Sequence, residues 1–345
     1  TNSTVTAEGF VDGQGATYDV KGSQTVAGSS ENTFTYVLNS NTNAANYTIE
    51  TKNGTLTVKD REKKYVIELE GEDGSKQYDG EALTVNGFKK LTFTVNDQKY
   101  TVSGLEATAT KTDVNGETTF KVSGNAVVKD ALDNDVTSQF EVKTKPGTLT
   151  ISPRPVKLTS GSAEKEYDGT PLTNSTVTAE GFVDGQGATY DVKGSQTDVG
   201  TSDNAFTYTL NKGTEEKNYT ISKTEGKLEV TPVTDMVTVT ITENSGTEKY
   251  DGTEKTVTGY KVTDISNKLY KEGYFTFSGK DIVSGTDAGT YDMELKASDF
   301  ANTSKNFTNV VFEIVDGKLT ISPRSVTLTS ADANKTYDGK PLTNH

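Results

Sequence analysis

A 25-residue stretch, TNSTVTAEGFVDGQGATYDVKGSQT, stands at residues 1–25 and again, unchanged, at 173–197. Self-identity at one long offset means that the chain is built by repetition. It must therefore fold as a series of like modules, each with its own small core. Four Tyr-Asp-Gly triplets mark the series, at Tyr78-Asp79-Gly80, Tyr167-Asp168-Gly169, Tyr250-Asp251-Gly252 and Tyr337-Asp338-Gly339. Nine residues before each tyrosine lies the second member of an alternating apolar pair: Ile67/Leu69, Val156/Leu158, Val239/Ile241 and Val326/Leu328. A spacing of two puts each pair on one face of a strand. Asp-Gly then marks a turn, with glycine supplying positive φ. The tyrosine is expected to fold back over that first strand.

Each unit closes on a Gly-x-Leu-x-Val/Ile strand, at 54–58, 147–151, 226–230 and 317–321. Pro153, Pro155, Pro232 and Pro323 stand at the junctions that follow. Proline fixes φ and removes a ladder donor, which suits a short, stiff linker. The units alternate in kind. The first and third share the identical stretch and an Asn-Tyr-Thr-Ile ending, at 46–49 and 218–221, whereas the second and fourth carry an aromatic, Phe88 or Tyr260, ten residues after the Tyr-Asp-Gly tyrosine. The order is A-B-A-B. It predicts an A-type module without its first strand at 1–58, a B-type module at 59–152, an A-type module at 153–231 and a B-type module at 232–322. Residues 323–345 then read as the first strand and turn of a further A-type module, the segment that 1–58 lacks.

The expected fold is all-β, a tandem array of small antiparallel modules. Thr-, Val-, Tyr- and Phe-rich runs alternate in polarity between Gly/Asn/Asp turns, as at 188–194, 206–210, 219–222 and 227–231. An Ig-like β-sandwich and a β-grasp-like module both accommodate the strand count. Helical spacing occurs only at 264–274, where Ile265, Leu269 and Tyr270 allow one short helix in the fourth unit.

The formal net charge is −14, from 49 acidic and 35 basic residues. Such a surface repels phosphate backbones, so nucleic acid is not an expected partner. No apolar run approaches the ~20 residues that span a bilayer, so no membrane insertion is expected within this segment. With no cysteine and a single histidine, His345, a Ser-His-Asp or Cys-His catalytic set cannot be assembled. Non-enzymatic function without cofactor or metal is expected.

The signature K-x-YDG-x-PLT, at 165–173 and 335–343, resembles the MBG/YDG-type tandem repeats of Gram-positive cell-surface proteins. So does Thr286-Asp287-Ala288-Gly289-Thr290-Tyr291, with a looser form at 197–201. In the B-type units the Pro-Leu step is replaced, by Glu81-Ala82-Leu83 and Thr253-Glu254-Lys255. The resemblance implies a secreted, adhesin-like protein at the bacterial surface, anchored to the cell wall through regions outside this chain. It acts there as an extended stalk and interaction array. Mucin, another host glycoprotein or immunoglobulin would be the partner if the repeats bind directly.

Tyr260, Tyr270, Tyr274 and Phe275 form the aromatic concentration best suited to a partner surface, since tyrosine makes efficient contacts; a local core accounts for them equally. The Tyr-Asp-Gly aspartates read as turn residues. The acidic run Asp130-Ala131-Leu132-Asp133-Asn134-Asp135 reads as a solvated loop, lacking the glycine and distal glutamate of a calcium loop. Asn46 and Asn218 stand in Asn-x-Thr sequons but read as polar strand-entry positions. No Lys–Asn pair recurs in a way that would suit an isopeptide bond.

Overall fold

The computed structural model describes residues 2–343 as short strands joined by tight turns. No helical element longer than three residues occurs among them. The helical spacing at 264–274 resolves differently: a strand runs through Tyr260–Ile265, and a single 3₁₀ turn follows at Glu272–Tyr274. Ile265 is held in a ladder opposite Val239, so the i, i+4 spacing with Leu269 spans a strand end and a bend. The all-β expectation holds, and sheets bury the cores.

The chain divides into two compact units. The first comprises Thr1–Lys157, Glu180–Gly187 and Leu210–Ser222; the second comprises Leu158–Ala179, Ala188–Thr209 and Lys223–His345. The division passes through the 153–231 stretch.

In the second unit, residues 232–322 give the pattern of a complete module. Its first strand, Val237–Glu243, lies between Tyr260–Ile265, antiparallel, and Val310–Val315, parallel. The strand Gly246–Lys249 runs parallel to Lys318–Ser322, whose other edge takes Gly289–Asp292 antiparallel. Two further pairs complete it, Lys255–Thr258 with Ile282–Gly285 and Phe275–Phe277 with Phe300–Asn302. Period-two alternation sends Val237, Val239 and Ile241 inward against Phe300, Phe307, Leu319 and Ile321. Each such side chain, fully buried, stabilises by about 1.5–3 kcal/mol.

The same plan recurs in the first unit at 59–152. Tyr65–Glu70 runs parallel to Phe140–Lys145, and Gly74–Gln77 parallel to Leu149–Ser152. A long hairpin, Gln98–Lys111 with Thr119–Asp130, sets this stretch apart. Its ladder shifts register at a bulge after Gly124, which has φ +90°. A Cβ there would lie 2.1 Å from the Gly104 carbonyl oxygen, so glycine is required.

In 153–231 the first strand, Arg154–Ser160, lies between Val177–Glu180 and Tyr219–Thr224. The closing strand, Lys227–Thr231, lies between Ala163–Glu166, parallel, and Gly200–Asp203, antiparallel. Residues 2–58 keep only part of this plan. Ala16–Val20 pairs with Phe34–Leu38, and Gly28–Asn32 with Gly54–Val58. Residues 323–343, which share the sequence of 153–173 at many positions, carry no ladder.

Candidate functional site

The most developed chemistry of this molecule lies at the ends of its modules. Within the first unit, Tyr78 is 4% exposed, and its ring meets Tyr219 edge-on at 5.4 Å. Gln186 Nε2 donates to Tyr78 Oη (2.8 Å), and Tyr219 Oη donates to Gln186 Oε1 (2.7 Å). Beside this relay, Asn218 is fully buried. Its Oδ1 accepts from the Val114 amide (2.8 Å), and its Nδ2 donates to Asp113 Oδ1 (2.9 Å). A buried amide side chain must satisfy both of its ends, and here one Asp-Val dipeptide serves both.

The second unit repeats the device. Tyr167 meets Phe307 edge-on at 5.6 Å. Asn306 Oδ1 accepts from the Val199 amide (2.9 Å), and its Nδ2 donates to Asp198 Oδ1 (3.0 Å). Burial, with the Tyr274 hydroxyl hydrogen-bonded beside it, raises the Tyr167 hydroxyl above its usual value. The Tyr-Asp-Gly tyrosines Tyr78 and Tyr167 thus reach forward along the chain, contrary to the expectation that each covers its own first strand. The turn delivers them there, since Gly80 and Gly169 have φ of +85° and +78°.

The aspartate of each triplet organises that turn. Asp79, Asp168, Asp251 and Asp338 accept, through Oδ1, the amide two residues on, at 2.9–3.1 Å. Each also pairs with a lysine: Lys76 (2.5 Å), Lys165 (2.6 Å), Lys255 (2.6 Å) and Lys335 (2.7 Å). The lysine hydrogen bond, aided by the amide, holds all four carboxyls below the usual carboxylate range. Their structural role accounts for the chemistry present.

A groove of about 270 Å³ opens in residues 2–58, lined on one wall by Val5, Ala7 and Phe10 and on the other by Tyr47, Ile49 and Thr51. Tyr18 and Phe34 line it as well. A pocket of about 270 Å³ in the same unit is lined by Ala27, Val58, Tyr65 and Phe140.

The four aromatics expected as a partner surface are brought together, but packed inward. Tyr270 is 2% exposed, with its ring 5.7 Å from Tyr274 and 5.2 Å from Phe307. Tyr260 packs on Phe277 and Phe300, and Phe275 on Phe300 and Phe312. In the acidic run, Asp130 accepts the amides of Leu132 and Asn134, and Asp133 pairs with Lys129. Those carboxylates hold their own loop. Among the described residues no group of three or more His, Asp or Glu is placed to hold a metal ion. His345 lies outside the described residues.

Strand patterning missed the buried polar groups, Asn218, Ser160 and Glu243 among them. Asn218, expected at a polar strand entry, is the centre of a joint. Ser160, 2% exposed, donates to the Asn204 carbonyl (2.6 Å) and accepts from the Gly226 amide (2.9 Å). Glu243, 3% exposed, accepts from the amides of Leu295 (2.6 Å) and Gly317 (2.7 Å). The signal available for the joints was the repeated Thr-Asp-Val at 112–114 and 197–199, each used by an asparagine more than a hundred residues on.

Comparison with known proteins found no matching family model, no matching curated protein and no matching solved structure.

Proposed function

We propose that this chain is the repeat region of a bacterial cell-wall-anchored surface protein, acting as an extended stalk and interaction array without turnover. The observation that carries the proposal is the recurring joint. Tyr78 with Asn218, and Tyr167 with Asn306, spend a buried tyrosine and a fully bonded asparagine on the end of a module. A flexible string of beads has no use for such chemistry; a stalk that must hold its direction does. The bacterial-surface setting rests on the K-x-YDG-x-PLT resemblance and on an acidic, cysteine-free composition. Compact modules of roughly 30–40 Å, set end to end, give a stalk on the order of 120–160 Å.

Repetition also turns weak contacts into avidity, and host proteins or glycoproteins, mucin and immunoglobulin among them, are the proposed partners. Small-angle scattering on dilute chain tests the stalk. An elongated particle is expected, and a globule of ordinary compactness overturns the proposal. Retention of serum proteins or mucin by immobilised chain, against a bare matrix, tests the interaction role. No retention leaves a spacer alone.

A further inference from the structure

Asn-Gly pairs stand at Asn53-Gly54, Asn86-Gly87 and Asn115-Gly116. In such a pair the glycine has no side chain to keep its backbone nitrogen away from the asparagine amide carbon. Whether the two groups meet in a folded chain depends on how firmly each is held elsewhere. Two of the pairs are held in ladders. Asn86 Oδ1 accepts from Thr108 Oγ1 (2.8 Å), and the Gly87 amide donates to the Ala107 carbonyl (2.9 Å). Asn53 Nδ2 donates to Glu31 Oε2 (2.9 Å), and Gly54 stands opposite Asn32 in the strand Gly54–Val58.

Asn115-Gly116 is held more loosely. It lies in the turn between Gln98–Lys111 and Thr119–Asp130, outside any ladder. Asn115 is exposed, and among the described residues none is hydrogen-bonded to its side chain. Its backbone is left-handed, with φ +56°, as a tight turn requires. The Gly116 amide has one bond, to the Asp113 carbonyl of the same turn (3.1 Å). The pair comes from an inserted residue. Asp113-Val114-Asn115-Gly116 stands where the later units have Asp198-Val199-Gly200 and Asp287-Ala288-Gly289. In those units the glycine opens a strand, Gly200–Asp203 or Gly289–Asp292, laddered to the closing strand. With Asn115 inserted, Gly116 has no such ladder.

The insertion falls against a joint. Asp113 and Val114, the two residues before Asn115, are the partners of buried Asn218. We propose that Asn115 is a self-modification site whose conversion loosens this joint as the protein ages. The inference rests on reading the joints as what holds the stalk's direction. The Gly116 nitrogen attacks Asn115 Cγ and bonds to it, and the bond from Cγ to the side-chain nitrogen breaks. That nitrogen leaves as ammonia with the proton from Gly116, and a cyclic succinimide remains. Water then opens one or other imide carbonyl. The product is aspartate or, with the backbone rerouted through the side chain, isoaspartate. Both carry a new carboxylate two residues from Asp113 and Glu117. Isoaspartate also lengthens the backbone by a carbon next to Val114, which is 6% exposed and whose amide must reach Asn218 Oδ1. The Asp198-Val199-Gly200 joint has no asparagine at this place, so ageing softens one joint and spares the other.

The full chain, held at body temperature in mildly alkaline buffer and sampled over weeks, tests the proposal. Peptide mapping by mass spectrometry reads conversion at each Asn-Gly pair, and enzymatic methylation identifies isoaspartate. Asn115 is expected to convert at least about tenfold faster than Asn86, since ~1.4 kcal/mol of extra opening cost in the ladder suffices for that ratio. Site-resolved hydrogen exchange on the same samples reads the joint. The Val114 amide is expected to exchange at least about tenfold faster in aged chain than in fresh chain. The Val199 amide, held by Asn306, keeps its original rate. Asn115→Gly, which allows the same φ and has no side-chain amide to lose, keeps slow Val114 exchange throughout.

Conversion at Asn115 no faster than at Asn86 overturns the proposal. So does complete conversion that leaves Val114 exchange unchanged, or an Asn115→Gly chain whose Val114 amide loosens at the wild-type rate. Failure of the stalk reading would show separately, as compact scattering from fresh chain in which Asn115 is still intact.

Discussion

Residues 1–25 and 173–197 are identical, yet the modules that hold them, 1–58 and 153–231, bury their side chains differently. Leu228 and Val230 are 0% and 1% exposed, whereas Val58 in the closing strand of 1–58 is 36% exposed. Asn218 is sealed in a joint, and its counterpart Asn46 is exposed. Tyr219 is buried, and Tyr47 is only half-buried. The compared positions hold the same residue types in both, and what is packed against them differs. A strand of seven residues, with the pairs Val156 and Leu158, decides whether the same segments are core or surface.

The largest consequence concerns local opening in dilute chain. Amides in Lys227–Thr231 should exchange at least about 100-fold more slowly than those in Gly54–Val58, because opening free energies range from near zero at frayed edges to the global value in cores. Site-resolved hydrogen exchange measures both in one sample. Equal protection would dissolve the comparison. Next come the two leucines. Leu228→Ala should cost about 2–5 kcal/mol as a buried truncation, and Leu56→Ala less than about 1 kcal/mol. Denaturant titration followed by the same exchange probes assigns each loss to its own segment.

Smaller effects sharpen the comparison at single bonds. Asn218→Ala strands the Val114 amide and frees Asp113, costing about 1–3 kcal/mol. Asn46→Ala should stay within about 0.5 kcal/mol. Ser160→Ala likewise leaves the Gly226 amide without its acceptor, about 1–3 kcal/mol, whereas Ser330→Ala, at an exposed position with the same Leu-Thr-Ser sequence, should be silent. The last effect is set by pH. Burial pushes Tyr270 up to about 12 from a usual value of 10.0 and also raises Tyr219. A hydroxyl whose folded value is raised stabilises fully below the unfolded value and loses that contribution as pH rises through the folded one. Stability should therefore hold to about pH 10 and decline towards about pH 12. Tyrosinate absorbance in Tyr270→Phe and Tyr219→Phe chains assigns the late-titrating hydroxyls.

The periodicity of the fold was legible because it is written locally. An apolar pair two apart makes a strand face, and Asp-Gly makes a turn whose aspartate caps its own amide. Val156/Leu158 and Asp168 behave as those rules require. The destination of Tyr78 was not legible, because alternation says which face a side chain takes and nothing about which distant end it meets. Asn218 escaped for the same reason: its partners Asp113 and Val114 stand more than a hundred residues away. Tyr270 and Tyr274 show the converse error open to composition. A cluster of rings attracts attention as a surface, but large rings are also what a thin module needs to fill its centre.

The parallel ladders of 232–322 carry one more consequence. The first strands, Val237–Glu243 and Gly246–Lys249, run parallel to the last ones, Val310–Val315 and Lys318–Ser322. Tension entering where the first strand begins and leaving where the last strand ends pulls these partners lengthwise past each other. Their hydrogen bonds lie across that sliding direction and bear the load together, whereas a hairpin pulled from its open end peels one bond at a time. Forced rupture is governed by an unfolding barrier rather than by equilibrium stability. A module with modest free energy of folding can therefore outlast a pull that would unzip a hairpin of the same size.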